Sequence, residues 1–301
     1  MARPDLSFDD AEIAALEETA RQIRISVIEA INVAKAGHLG GPLSAADILT
    51  ALYFKVMRIR PEEPTWPDRD RFVLSKGHSA IGLYSTMAHR GYLPVDELLT
   101  FDAVHSRLQG HPEMTRLPGI DMSTGSLGMG ISAAMGMALG ASVQGKDYLA
   151  FVMLGDGECQ EGEVWEAAMA ASRHRARLDN LFVIVDENHL QQFGWLVDRE
   201  GSTRLVEPPH APGQLADKWR AFGWRVLGMD GHDMRDILTT LRDAIESRQG
   251  AGPTVIIAQT VKGKGVSYME NDYTWHSKPL SPQDYATALA DLGAGTGAVR
   301  Q

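Results

Sequence analysis

YLAFVMLGDGE at residues 148–158 and LFVIVDEN at residues 181–188 follow the same pattern. Each is a continuous apolar run that stops abruptly at a polar turn. An apolar run without alternation fits a strand covered on both faces, the pattern of parallel sheets. Between them lies EGEVWEAAMAASRHR (161–175), a helix-forming segment. Strand, helix and strand then make one βαβ unit. Parallel strands in one unit end on the same edge of the sheet, the edge where open α/β sheets bind ligands.

The rest of the chain extends this reading. RFVLS (71–75), WRVLGMD (224–230) and PTVIIAQ (253–259) are further short strands. KGHSAIGLYSTMAHRG (76–91) reads as a turn and a helix, STGSLGMGISAAMGMALGASVQG (123–145) as a glycine-rich turn feeding a helix, and QLADKWRAFG (214–223) and DMRDILTTLRDAIES (233–247) as helices. Residues 9–36 form a long amphipathic helix, with Ile13, Leu16, Ala20, Ile23, Val27 and Ile31 at steps of three and four. Ser44 reads as the N-cap of a second helix over ADILTALYFKVM. Residues 60–70, 101–124 and 191–213 are irregular. Strands alternating with helices predict one α/β domain with a mainly parallel sheet and helices on both faces. We place that domain at 9–290, between a disordered N-terminus (1–8) and a flexible tail (291–301).

Composition narrows the function classes. The chain has 301 residues and a formal net charge of −10, which gives no attraction to nucleic acid or anionic membrane. No apolar run approaches the ~20 residues that span a bilayer. The acidic N-terminus lacks the apolar core of a signal peptide. The single cysteine, Cys159, rules out an intrachain disulfide. These features predict a cytoplasmic protein.

Asp156 and Asn188 stand 32 positions apart, each just beyond a buried strand. The βαβ geometry brings them together. A carboxylate and an amide oxygen are hard ligands that suit Mg²⁺ or Ca²⁺, and Mg²⁺ usually completes its shell with phosphate oxygens and water. Gly155 and Gly157 let backbone approach a phosphate. The following helix points its N-terminal amides at the same anion. Asp186 reads as a strand-end turn residue and not as a ligand. KGKG (262–265) lacks the spacing of a P-loop, and GSLGMG is not GxGxxG.

The pair GDGE…N resembles the cofactor motif of thiamine diphosphate enzymes. AGHLGGPLS (36–44), RFVLSKGH (71–78), GHPE (110–113), TGSLGMG (124–130), GDGECQEGEVWEAAM (155–169) and TVKGKGVSYMEN (260–271) resemble, in family order, blocks of the diphosphate-binding domain of transketolases. With the histidine of TWH they span residues 37–276. The resemblance implies that Asp156, Asn188 and the backbone carbonyl of Leu190 bind Mg²⁺, with Ca²⁺ or Mn²⁺ as substitutes. Gly157, His78 and His276 would hydrogen-bond the diphosphate, and Gly125 and Leu127 would border the rings. His38, His78, His111 and His276 match the active-site histidines that this half contributes. Histidine suits proton movement because its ordinary pKa, about 6.5, lies near working pH. Glu161 matches a glutamate at the subunit interface that couples two cofactor sites, and reads equally as a carboxylate on a helix dipole. Glu166 is a weaker candidate for the same network. The other six histidines match no block and read as surface or structural.

The glutamate that protonates the aminopyrimidine in the family lies in a second domain, outside this sequence. The resemblance therefore implies the N-terminal subunit of a split enzyme, paired with a C-terminal, pyrimidine-binding subunit in a heterotetramer. Its reaction would be transfer of a two-carbon ketol unit between sugars or sugar phosphates. Two alternatives stay open: a decarboxylating relative (deoxyxylulose phosphate synthase-like or 2-oxo-acid dehydrogenase-like), and a non-catalytic regulatory subunit. Leu39 stands where the family usually has proline, Met129 where glutamine is common, and 172–180 is about two residues longer than usual. These departures leave a non-standard substrate open.

Overall fold

The computed structural model describes residues 3–193 and 208–294. Among these residues five strands form one sheet: β1 (Arg71–Leu74), β2 (Ala150–Gly155), β3 (Leu181–Glu187), β4 (Arg225–Asp230) and β5 (Thr254–Gln259). Their order is β1-β2-β3-β5-β4, and every pairing is parallel. The expected α/β class with a parallel sheet is what the chain adopts.

Among the described residues eight α-helices cover the sheet: α1 (Asp10–Ala34), α2 (Gly40–Ala51), α3 (Ala80–Arg90), α4 (Met129–Gln144), α5 (Gly162–Arg173), α6 (Gln214–Ala221), α7 (Met234–Glu246) and α8 (Pro282–Asp291). Side chains of successive strand residues point to opposite faces, and the two apolar clusters follow that alternation. Phe72, Phe151, Met153, Phe182, Ile184 and Ile256 join the cluster that holds α1, α2, α3, α7 and α8. Val73, Val152, Leu154, Val183, Val185 and Val255 join the cluster that holds α4, α5 and α6. Both faces of β1, β2, β3 and β5 are largely buried, which is why these strands read as unbroken apolar runs, while the edge strand β4 is partly exposed.

This layering positions the site. Beyond β1 the chain passes to α3 on the first face. Beyond β2 it passes to α5 on the second. The loops part between β1 and β2 and open a crevice at the carboxyl ends of the strands, the place where such sheets bind ligands.

Local chemistry fixes the helix ends. Asp9 caps α1 by accepting from Glu12 N, and the six apolar residues read from the sequence are all buried along it. Burial of each Ile, Leu or Val among them is worth about 1.5–3 kcal/mol. Asp233 caps α7. Ser281, Pro282 and Asp284 form a capping box for α8, a helix that the sequence reading did not separate from its surroundings.

One expected boundary is corrected. The second helix begins at Gly40, not after Ser44. Pro42 falls in its first turn, where a missing N–H costs nothing, and all twelve residues of α2 are buried, which offsets the two glycines. Ser44 is therefore inside the helix, and its hydroxyl is used elsewhere. The segment expected to be disordered through residue 8 makes contacts from Arg3 onward: Arg3 donates to the buried Asp70, and Phe8 packs against the first cluster. The irregular stretch expected at 191–213 lies outside the described residues from 194 to 207, and the tail expected at 291–301 does so from 295.

Candidate active site

The crevice is a cleft of about 560 Å³. Its wall on the GDG side carries Asp156, Gly157, Glu161, Asn188 and Leu190. Across from them stand His38, His78, His111 and His276, with Gly125 and Leu127 between. All eleven residues singled out from the sequence line this one space.

Register explains the convergence. Gly155 pairs with Asp186 across β2 and β3, so Asp156 and Asn188 leave adjacent strands at adjacent levels. Asp156 N donates to Asp186 O at 3.2 Å. The Asp156 carboxylate accepts one backbone N–H on each oxygen: Gly157 N on Oδ1 at 2.8 Å and His189 N on Oδ2 at 2.6 Å. A carboxylate offers about four acceptor positions, so each oxygen keeps one for the cleft. Burial pushes this carboxyl up to about 7; the charge of Asp186 adds to the shift, and the two N–H groups and Lys262 oppose it. A buried carboxylate in that condition favours a cation beside it.

Asp186 contrasts with it. It is fully buried, and both its oxygens are saturated. Oδ2 accepts from Ser44 Oγ at 2.6 Å and from Lys76 Nζ; Oδ1 accepts from Thr260 Oγ1 and from Asn188 Nδ2 at 3.3 Å. Burial alone would raise its pKa, but Lys76, Ser44 and Thr260 hold it below the ordinary carboxylate value. No acceptor position is left for a metal, so Asp156 and not Asp186 is the carboxylate ligand candidate. Among the described residues no three His, Cys, Asp or Glu side chains converge as a metal cluster. One carboxylate, one amide and one carbonyl is instead the sparse donor set that Mg²⁺ shares with phosphate oxygens.

The floor of the cleft is cationic. Lys76 is buried against Asp186 and Gly41 O. Lys262 Nζ lies 3.3 Å from the carbonyls of Leu190 and Gln191 and 2.9 Å from His276 Nδ1. Burial lowers Lys262 to about 8, with Asp156 opposing and Lys76 reinforcing the shift. The imidazoles of His38, His78 and His276 pack with ring centroids 4.9–5.1 Å apart. Burial drives His78 to about 2, helped by His276, Lys76 and His38, and drives His276 to about 3, helped by Lys262. Burial, with His111 and Lys262, lowers His38 as well. These rings are neutral at neutral pH and can donate or accept hydrogen bonds. His111 stands exposed at the mouth, its ring 6.4 Å from that of His38.

The loop that carries Gly125 and Leu127 is held from two sides. Glu158, buried beyond β2, accepts from Ser75 Oγ, from Gly128 N at 2.8 Å and from Gly155 N at 3.1 Å. Ser75 Oγ in turn accepts from Gly130 N. A Cβ on Gly77 would lie 2.8 Å from the Thr124 carbonyl carbon and 2.9 Å from Gly125 N, so the turn after β1 and the TGSLG loop touch backbone to backbone.

The sequence reading gave no site role to Lys76, Lys262, Glu158 or His210, and read Asp186 as a non-ligand turn residue without its supporting contacts. His210 is buried, donates Nε2–H to the Asp156 carbonyl at 2.9 Å and accepts from Lys218 Nζ. Only Asp186 carried a readable signal: two residues before Asn188 on a strand, it shares that residue's side. Glu161 is exposed and is the N-cap of α5, without a side-chain cap bond. Glu166 is exposed one turn on. Of the departures, Leu39 is fully buried in the core, and Met129 opens α4 with 41% of its surface exposed. The 172–180 stretch ends α5 and forms a short turn, away from the cleft.

Residues 16–298 match the family model described as transketolase, thiamine diphosphate binding domain. The chain belongs to the transketolase family. A 6-deoxy-6-sulfo-D-fructose transketolase subunit of Clostridium sp. (strain MSTE9) is 41% identical over 92% of this chain and 96% of its own length. An apulose-4-phosphate transketolase subunit of Phocaeicola vulgatus is 40% identical over 93% of this chain and 95% of that one. The crystal structure of transketolase from Campylobacter jejuni superposes with a TM-score of 0.81 at 33% identity, covering 94% of this chain but 43% of the other. Within the transketolase family this chain is thus of the N-terminal subunit type, like relatives of its own length, and its fold is that of the thiamine diphosphate-binding transketolases.

Proposed function

We propose that the chain is the diphosphate-binding subunit of a two-chain transketolase, transferring a two-carbon ketol unit from a ketose or ketose phosphate to an aldose. The observation that carries this is the accounting at the strand ends. Asp156 keeps one acceptor position per oxygen facing a cleft that also holds Asn188, Leu190 and two buried lysines.

In this reading Asp156, Asn188 and the Leu190 carbonyl hold Mg²⁺, for which Ca²⁺ or Mn²⁺ could substitute. Gly157, His78 and His276 bind the diphosphate of thiamine diphosphate. When bound, that cofactor supplies a nucleophilic carbon and an electron sink for breaking a carbon–carbon bond beside a ketone. The protein's share is placement and electrostatics. Gly125 and Leu127 border the rings and exclude water. His38 and His111 would accept and return hydroxyl protons at the mouth. Neutral His78 and His276 suit this role better than cations would, because Lys76 and Lys262 already supply positive charge beneath them.

Glu161 lines the cleft, Glu166 is exposed further along α5, and on this side we place the partner chain. α4 and α5 expose Met129 and Met169, and nothing lies within 4 Å of where a Gly136 Cβ would stand. α4 is apolar on all sides, a pattern of helices that are covered. The names of the relatives of equal length, each a transketolase subunit, support a separate partner. We propose a twofold heterotetramer of cytoplasmic location. Among the described residues no helix is long and apolar enough to cross a membrane.

The test is to purify the chain together with a separately encoded C-terminal half of a transketolase. The pair is then assayed with ketose donors and aldose acceptors, with and without Mg²⁺ and thiamine diphosphate. Turnover by the pair and none by the chain alone is expected. Release of CO₂ from pyruvate with no ketol transfer would overturn the proposal in favour of a decarboxylating enzyme. Turnover restored by no partner, with no cofactor bound, would make the chain regulatory.

A further inference from the structure

We infer that Asp186 is a positioning residue of the cation site, which fixes the end of the Asn188 amide that faces the cleft. This rests on the proposed role of Asn188 as a cation ligand. The Asn188 amide is 7% exposed and engaged at both ends. Its Nδ2 donates to Asp186 Oδ1 at 3.3 Å, and its Oδ1 accepts from Leu190 N at 3.2 Å. A carboxylate that already accepts at every position cannot donate, and a backbone N–H cannot accept. The amide therefore has one orientation that satisfies both neighbours, and in it the oxygen keeps a free lone pair. Turned over, the amide would set an NH₂ group where a cation must sit.

The remaining contacts of Asp186 come from three other parts of the fold: Ser44 in α2, Lys76 after β1 and Thr260 after β5. A short carboxylate anchored from these directions cannot swing away, and this makes the amide's orientation a property of the whole strand edge. Asp186 does not reach the cation. It acts through Asn188, as carboxylates behind metal ligands commonly do, and losing such a group typically weakens metal affinity by about 10–100-fold.

The experiment uses the full chain with thiamine diphosphate and Mn²⁺, bound metal being read by water-proton relaxation and stability by urea unfolding. Asp186→Asn should weaken Mn²⁺ binding by about 10–100-fold. Ser44→Ala removes one hydrogen bond from the same carboxylate; it should lower stability yet hold Mn²⁺ affinity within about threefold, because Asn188 keeps its partner. Asn188→Ala should abolish binding. Wild-type affinity in Asp186→Asn with loss in Asn188→Ala overturns this inference and leaves the proposed cation site standing. Wild-type affinity in Asn188→Ala overturns the cation site itself. Should Asp186→Asn not fold or wild-type binding prove too weak to measure, NMR of the metal-free wild-type chain decides. The Asn188 side-chain NH₂, assigned by its absence from the spectrum of Asn188→Ala, should exchange slowly. Exchange as fast as that of an exposed asparagine overturns the inference.

Discussion

Gly77→Ala and Gly136→Ala are the same chemical change and should have opposite signs. At Gly77 an added Cβ meets Thr124 Oγ1 at 2.7 Å, the Thr124 carbonyl carbon at 2.8 Å and Gly125 N at 2.9 Å. Ordinary contact begins near 3.4 Å, so the backbone of the TGSLG loop has to retreat by roughly half an ångström to an ångström, the range over which overpacking disturbs a well-packed interior. Two of the three atoms are backbone and cannot turn aside. The loop is also tied down by Thr124 Oγ1 on Leu74 O at 2.7 Å and by Gly128 N on Glu158. Overpacking of this kind costs about 1–3 kcal/mol. At Gly136, inside α4, nothing lies within 4 Å. Alanine there gains the helix propensity that glycine lacks, about 0.5–1 kcal/mol. Urea unfolding of the isolated chain should show the first variant destabilised by about 1–3 kcal/mol and the second stabilised by about 0.5–1 kcal/mol. The first should also lose thiamine diphosphate affinity, because Gly125 and Leu127 move with the loop; the second should keep it. Equal stability in the two variants would refute the close contact between the turn after β1 and the loop.

Further outcomes follow from single contacts. Gly136→Trp should leave the stability of the chain near that of Gly136→Ala but block assembly with the partner chain, read by size-exclusion chromatography of the mixture. Trp219 is fully buried against Trp165 and Trp224, with rings 5.1 and 4.9 Å away, and Trp219→Ala should cost about 3–5 kcal/mol in urea unfolding. In the metal-free chain Asp156 titrates near 7 when folded against 3.8 when unfolded, so the folded state binds more protons between these values and stability falls as pH rises from about 4 to 7. Asp156→Asn removes this loss, and the stability of variant minus wild type should climb by up to about 1.4 kcal/mol per pH unit over that window and then flatten; a difference independent of pH would refute the assignment.

The fold was legible because its central strands β2 and β3 are covered on both faces. Nothing polar interrupts 149–154 or 181–185, and each run ends at the carboxyl edge of the sheet, where buried polar residues line or support the cleft. Helix starts were less legible. Ser44 has the chemistry of an N-cap, but burial of α2 along its whole length outweighed the propensity of Gly40, Gly41 and Pro42 to end a helix. Asp156 and Asn188 were legible from the strand–helix–strand spacing, and the other nine candidate site residues from the family resemblance of the blocks around them. The supporting residues were not, since their partners are distant in sequence: Lys76 meets Asp186 across 110 positions, Ser75 meets Glu158 across 83, and His210 meets Asp156 across 54. Only the pairing of β1, β2 and β3 brings those positions together.

That division has a physical basis. A residue that touches a ligand is constrained by the ligand's chemistry, so its type and its local turn can be read alone. A residue that holds another in place is constrained by whatever the fold brings near it. Asp156 and Asp186 make the point, since both are buried aspartates at neighbouring strand ends. Two backbone N–H groups leave the first with lone pairs to spare, while Ser44, Lys76, Thr260 and Asn188 leave the second with none. Their roles differ because their donors differ, and the donors come from α2, β1 and β5 as well as from their own turns. Exchanging the two environments would exchange the roles, with the residue type unchanged.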